Sequence, residues 1–306
     1  MIIEHLCENF SMRNSWANWL LFFVLSLIWG SSFYLMKVGM EYLSAYQVAS
    51  LRIVSAGLVL MPFARNAFKA IPRQRIPLIV GTGLLGSFFP AYLFCLAETK
   101  IDSAMAGIIN ALTPLFTLLV GILFFQLTAR KIQIIGACIG FFGLVLLITS
   151  GSQLQLSNVA YSLLVILATL MYGFNVNIVG RFLGDIRAID MASLVYLLLL
   201  IPALIILLLT GYGNLPLREA GYLHSTMAAA ILGILGTALA SVFFFMLVKR
   251  AGPVFASMVT YGIPVIAVCW GLLRNEHIRE KQLISLLIIL VGVYLVNRQE
   301  KKKPEL

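Results

Sequence analysis

The chain has 306 residues, of which 61% are hydrophobic and only 11% charged, with a mean hydropathy of +0.98. Soluble domains carry about 25% charged residues, so this composition excludes a soluble enzyme or binding domain. The net charge of +10 does not point to nucleic acid. The basic residues sit at the ends of apolar runs and make no patch interleaved with aromatic residues.

Ten apolar runs follow one another, each long enough to cross the roughly 30 Å hydrocarbon core as a helix. After an N-terminal tail at 1–15, the predicted spans are 16–38, 45–64, 75–97, 103–126, 131–149, 157–180, 189–211, 225–248, 253–273 and 281–297. A basic tail, 298–306, closes the chain. The fold class is therefore all-α, a polytopic membrane protein. The N-terminal segment does not read as a cleavable signal, because it carries Glu4 and Glu8 and its apolar run is too long. Met1 and Met12 both fit as the start. With the N-terminus inside, the inner segments hold 15 lysines and arginines and the outer ones 6. That bias puts both termini in the cytoplasm of a cell with an inner membrane.

The chain also resembles itself. At an offset of 150, Gly83, Gly86, Phe94, Ala106, Pro114 and Gly121 meet Gly233, Gly236, Phe244, Ala256, Pro264 and Gly271, and Ser87 meets Thr237. At an offset of 143, Leu27, Trp29 and Gly30 meet Leu170, Tyr172 and Gly173. Two repeats of five spans, 16–149 and 157–297, follow. Five is odd, so the second copy enters the bilayer inverted, the architecture of alternating-access transporters.

Particular residues carry a family resemblance. Trp29-Gly30-Ser31-Ser32-Phe33, followed by Lys37, resembles the first-helix motif of the EamA family in the drug/metabolite transporter superfamily. Arg52 with Ala56 is similar to its second-helix arginine motif. Pro114 and Pro264 resemble the prolines of its fourth and ninth helices, and Glu276, Gln282, Gly292 and Leu295 the close of its repeat. The resemblance implies ten helices in two inverted repeats and export of small metabolites, amino acids and amphipathic toxic compounds among them. Leu127 stands where that family has glutamate, and Ala45 where a proline precedes the second helix.

Within the spans, candidate cargo-binding groups are few. Asn110, Thr113 and Thr117 share one helical face, and Ser257, Thr260 and Tyr261 answer them in the second half. Pro114 and Pro264 follow, each removing a backbone donor and freeing a carbonyl that needs a partner at membrane depth. The alternative is that these groups only hold helices together. Trp29, Tyr34, Phe89, Tyr92, Tyr172, Phe243 and Tyr261 offer aromatic faces suited to amphipathic cargo and organic cations, with packing the alternative for each. Asn175 and Asn177 are costly in lipid, so at least one faces the interior. Arg52, a charge within a span, is expected to pair with Glu98 or Glu41 as a clamp or gate. Lys37 is expected to snorkel to the outer headgroups.

No carboxylate lies mid-span, which favours facilitated export over obligatory proton coupling. Cys7, Cys95, Cys138 and Cys269 lack metal or redox spacing, so no metal or other cofactor is expected. Spans 1, 3, 4, 6, 8 and 9 should line a central cavity, with 5 and 10 outside. Gly136, Gly140 and Gly143 form a small face for packing within the chain, a dimer contact being the alternative. The expected partners are a small-molecule substrate and the bilayer. A monomer that is not an enzyme follows; the rival readings are a membrane-embedded lipid-modifying enzyme and a nonselective channel or scaffold.

Overall fold

The structure is a computed structural model, and it describes residues 2–126, 131–149, 156–257, 259–273 and 280–297. Leu127, Glu276 and the basic tail lie outside the described residues. Thirteen helices form the described chain: α1 (Ile2–Gly39), α2 (Ala45–Ala70), α3 (Ile76–Gly83), α4 (Phe89–Ala97), α5 (Ser103–Asn110), α6 (Thr113–Phe125), α7 (Lys131–Thr149), α8 (Leu156–Phe182), α9 (Ala188–Leu209), α10 (Ala220–Gly233), α11 (Ala240–Ser257), α12 (Val259–Leu273) and α13 (Glu280–Asn297). No strand occurs among the described residues. Seven helical stretches among the described residues are long and apolar enough to cross a membrane: Trp16–Gly39, Ala45–Ala70, Arg73–Ala97, Ser103–Phe125, Val159–Phe182, Ala188–Leu209 and Ala220–Ala251. Three shorter apolar helices accompany them, at Lys131–Gly143, Val259–Leu273 and Leu283–Gly292. The outward surface is apolar, as Leu20, Phe23, Leu123, Leu209 and Leu287 show, which is the surface lipid requires. The protein is thus a multi-pass membrane protein.

Local chemistry sets the irregularities. Ser44 and Gln47 form a capping box at the start of α2, each side chain bonding the other's backbone N–H. This supplies the helix start where the related family has a proline. Two π turns, Leu84–Phe88 and Ile234–Leu239, join α3 to α4 and α10 to α11. The predicted span 103–126 is not one helix. It breaks at Ala111–Leu112, because Pro114 has no N–H to give the Asn110 carbonyl. Thr113 Oγ1 donates to that carbonyl instead, at 2.7 Å. Pro264 has the other outcome and lies inside the unbroken α12. Other ends also differ from the sequence reading: α2 continues to Ala70, past Pro62, α1 begins at Ile2 within the predicted tail, α10 begins at Ala220, and α11 runs on to Ser257 through the predicted gap after 248.

The helices pack mainly in pairs drawn from the two halves of the chain: α2 with α9, α7 with α13, α1 with α12, and α6 with α8. Glycines let these backbones meet. A Cβ at Gly30 would overlap Ile266 and stand 3.1 Å from the Ile263 carbonyl oxygen. A Cβ at Gly173 would stand 2.9 Å from the Phe116 carbonyl carbon. These two contacts are each other's counterparts under the sequence offsets, with the halves exchanged. The glycine face of α7 is used inside the chain, where Gly292 of α13 sits against Gly140 and Gly136.

At one end of the bundle, polar groups close the loops. Arg75 pairs with Asp185 at 2.5 Å, Lys249 donates to the Ile186 carbonyl at 2.7 Å, and Arg181 donates to the Phe125 carbonyl at 2.7 Å. The hydrogen bond from Arg75 holds the Asp185 carboxyl below the ordinary carboxylate range.

Two outcomes test this packing. Gly292→Val should lower stability by about 1–3 kcal/mol through overpacking, read as a lower thermal midpoint in detergent. An unchanged midpoint would contradict the α7–α13 contact. Because its folded-state pKa lies below the unfolded one, the Asp185 contribution is present above the ordinary carboxylate pKa and fades as pH falls through the depressed value. The midpoints of Asp185→Asn and the unaltered protein should therefore differ near pH 6 and converge towards about pH 3. A gap that stays constant across that range would rule the pair out as its source.

Candidate functional site

A cavity of about 110 Å³ lies within the bundle, walled by residues of both halves. Part of its wall comes from irregular backbone. The π turns supply Gly86, Ser87, Gly236 and Thr237, and the α5–α6 break supplies Asn110 and Thr113. A widened or broken helical turn leaves carbonyls without their usual donors, and side chains answer them here. Trp29 Nε1 donates to the Gly236 carbonyl at 3.1 Å. Thr237 Oγ1 donates to the Leu232 carbonyl at 3.2 Å.

Of the ten residues expected from sequence to contact cargo, the cavity gathers Trp29, Asn110, Thr113, Tyr172, Asn175 and Thr260. Four others lie elsewhere, each for a geometric reason. Tyr34 is five residues beyond Trp29, which turns it to another face of α1, and there it stacks on Trp270 at 4.5 Å. Phe89 is exposed on the outside of the bundle. Tyr92 is buried, with its hydroxyl 2.8 Å from Ser50 Oγ. Tyr261 follows Thr260 by one residue, about 100° around the helix, and packs into the apolar core. Phe243 likewise gives way to its neighbour Phe244 as the lining ring.

The charged residues also differ from expectation. Arg52 lines the cavity, and its Nε donates to Thr237 Oγ1 at 2.6 Å. The bond that Arg52 shows among the described residues is thus to Thr237, where a pair with Glu98 or Glu41 was expected. The bond crosses from α2 to the π turn of the other half. Lys37 does not snorkel to headgroups. Its Nζ donates to the carbonyls of Glu98 at 2.6 Å and Ile101 at 2.9 Å, a cation on the exposed carbonyls of a helix end. Glu98 itself is buried and accepts from Ser103. Asn177 is a fastener, donating to the carbonyls of Thr117 and Gly173 at 2.8 Å each. Asn175 is 6% exposed, and its Oδ1 has no hydrogen-bond partner among the described residues. Its amide lies flat against Gly86, where any Cβ would overlap it.

Sequence reasoning missed several polar groups here, Tyr196 with Ser87 and Ser241 among them. Tyr196 Oη lies 2.8 Å from Ser87 Oγ and 2.6 Å from Ser241 Oγ. This chain joins α9 to the first π turn and to α11. The signal was present, since Tyr196 is a polar ring mid-span and Ser87 matches Thr237 across the offset. Helices α2 and α9 thus join the wall, beyond the six spans expected. Among the described residues, α7 and α13 contribute nothing to it.

Residues 16–149 and 160–298 each match the EamA-like transporter family. The chain belongs to that family. It is 26% identical over 280 residues to the uncharacterized inner membrane transporter YedA of Escherichia coli, covering 90% of this chain and 88% of that protein. It is 26% identical over 304 residues to the probable terminal-alkyne amino-acid exporter of Streptantibioticus cattleyicolor, covering 94% and 95%. A shorter match of 123 residues, 28% identical, joins it to the probable amino-acid metabolite efflux pump of Escherichia coli, 40% of each chain. A solved crystal structure shares the fold at a TM-score of 0.61 and 16% identity, over 92% of this chain and 96% of that one.

Thr113 tests the reading of the α5–α6 break. Thr113→Val keeps the shape but orphans the buried Asn110 carbonyl, which should cost about 1–3 kcal/mol. Thr113→Ser should restore most of the loss. Equal thermal midpoints for the valine and serine variants would show that the hydroxyl does not hold the break.

Proposed function

We propose that this chain exports small organic metabolites across the inner membrane by alternating access, with amino acids or amphipathic toxic compounds as cargo. The observation that carries this reading is one polar and aromatic cavity built from both halves of the bundle, at irregular backbone. Irregular backbone at membrane depth is tolerated where it is buried in protein or lines a cavity, and transporter sites are built that way.

In this reading the two repeats, 16–149 and 157–297, are inverted copies of five crossings each. The exchanged glycine contacts and the double family match support that. Trp29, Asn110, Thr113, Tyr172, Asn175 and Thr260 contact cargo. Lys37 and Glu98 hold the outer end of α4, and Pro114 and Pro264 mark where each repeat bends or breaks. Both termini face the cytoplasm, and the working unit is a monomer. Relatives named as an amino-acid metabolite efflux pump and a terminal-alkyne amino-acid exporter support amino acids as cargo. Their names, and the family's, favour a transporter over an enzyme. Movement down a gradient is the simplest coupling, because none of the cavity residues described is a carboxylate.

Purified protein in proteoliposomes should show saturable, competable counterflow of a labelled amino acid drawn from a panel of the twenty. Asn110→Ala should reduce its uptake efficiency on the order of tenfold, the loss of a hydrogen bond in a buried polar site. Flux that rises linearly with concentration and ignores unlabelled competitor would defeat the carrier reading. Unchanged efficiency in the alanine variant would remove Asn110 from the site.

A further inference from the structure

The cavity wall carries one cation and, among the described residues, no anion. Arg52 commits only Nε to the protein, through Thr237. Its two terminal nitrogens make no hydrogen bond among the described residues. Thr237 is in turn fixed by the Leu232 carbonyl, so the guanidinium is braced along one edge while its other edge is uncommitted. A guanidinium presents its donors as a planar fork that matches a carboxylate in two parallel bonds. An arginine at membrane depth without a counter-ion costs several kcal/mol. A bound anion would offset that cost, and a bound cation would add like-charge repulsion to it.

The same wall also offers apolar and aromatic surface. Trp29 and Phe244 lie 5.2 Å apart, and Tyr172 stacks on Phe94 at 6.1 Å. These rings alone would suit an organic cation. The lone guanidinium reverses that preference, because a full charge at close range in low dielectric outweighs a ring quadrupole worth about 0.5–2 kcal/mol.

We propose that the cargo of this cavity bears a carboxylate that seats on the uncommitted edge of Arg52, with its apolar remainder against the aromatic wall, and that lipophilic cations are rejected. This deepens the exporter reading and rests on it only in taking the cavity as the cargo site. Asn110 and Thr260 then supply polar contacts around the bound group, and Arg52 sets specificity.

The test uses three matched probes on the full-length purified protein: 3-phenylpropionate, its neutral amide 3-phenylpropionamide, and phenethylammonium. Binding is read by thermal shift and by tryptophan fluorescence. The acid should bind on the order of ten- to a hundredfold tighter than the amide, the worth of a hydrogen bond to a charged group, and phenethylammonium weakest. Arg52→Gln should bring the acid-to-amide ratio to near one. Arg52→Lys, which keeps the charge but loses the fork, should keep part of it. Should Arg52→Gln fail to fold, the ratio in the unaltered protein still decides. An amide that binds as well as the acid, phenethylammonium binding tightest, no binding of any of the three, or a ratio that survives Arg52→Gln would each overturn the proposal. The exporter reading fails separately. Acid preference without counterflow would keep the Arg52 site and sink transport, whereas counterflow without acid preference would do the reverse.

Discussion

Water is absent from the hydrocarbon core, so every backbone group that a helix releases there must be met by the protein itself. That constraint orders this molecule. Wherever the helices depart from regular geometry, a side chain stands ready. Thr113 meets the Asn110 carbonyl, Trp29 meets that of Gly236, and Thr237 meets that of Leu232. The irregularities are gathered at one place, and so the polar side chains are too. A cavity with chemistry in its walls follows from satisfying the backbone. The same residues that repair the helices, Thr113, Thr237 and Trp29, give the site hydroxyls and an indole.

Close packing of the surrounding frame rests on a different class of residue. Glycines at 30, 173, 83 and 233 admit a neighbouring backbone or a branched side chain where no Cβ would fit without displacement. Without a hydrophobic force between helices in lipid, such close approach supplies the dispersion contacts that hold them. Gly83 faces Val195 of α9, and Gly233 faces the Arg52 backbone of α2. Arg52 and Val195 are themselves separated by 143, the offset that relates Trp29 to Tyr172. The frame contacts therefore recur in pairs, each half supplying what the other receives.

Much of this frame was legible in the sequence, because its elements are composition and spacing. Apolar length gave the helices, and the glycines and prolines recurring at a fixed offset gave the pairing. What sequence could not supply was the direction of individual side chains. Trp29 and Tyr34 are equal candidates on paper, yet a five-residue step separates a cavity wall from a stack on Trp270. The π turns carry no composition signal, so Ser87 and Thr237, which lie within them, came into the site unannounced, and Tyr196 of α9 came in with Ser87 as its partner. Arg52 was recognised as unusual, but its partner depended on where a π turn of the other half would place a threonine hydroxyl. Proline chemistry predicted a freed carbonyl at Asn110 and at Thr260. Only the first helix breaks: Thr113 can meet its carbonyl, whereas Ile263, the equivalent in the second half, cannot.

Frame and wall are thus held by separate sets of atoms. The frame uses glycine Cα atoms and main chain, which tolerate almost no substitution. The wall uses side-chain tips, which differ freely between the halves: Arg52 against Val195, Asn110 against Thr260, Thr113 against Ile263, Ser32 against Asn175. A paired frame can therefore hold a chemically one-sided pocket, with a single cation on one flank. Exchange of a wall residue alters what the pocket attracts, and it touches the helix contacts only where a wall residue meets a glycine: Val195 at Gly83, the Arg52 backbone at Gly233, the Ile263 carbonyl at Gly30, Asn175 at Gly86 and Ser32 at Gly236. At Gly86 and Gly236 the contact is with a polar wall side chain. Gly86 lies under the Asn175 amide, and Gly236 lies under Ser32 while its carbonyl receives the Trp29 indole. A methyl group at either position would displace a wall side chain and strain a π turn in one step. At these two residues helix geometry is therefore coupled directly to the polar side chains of the pocket.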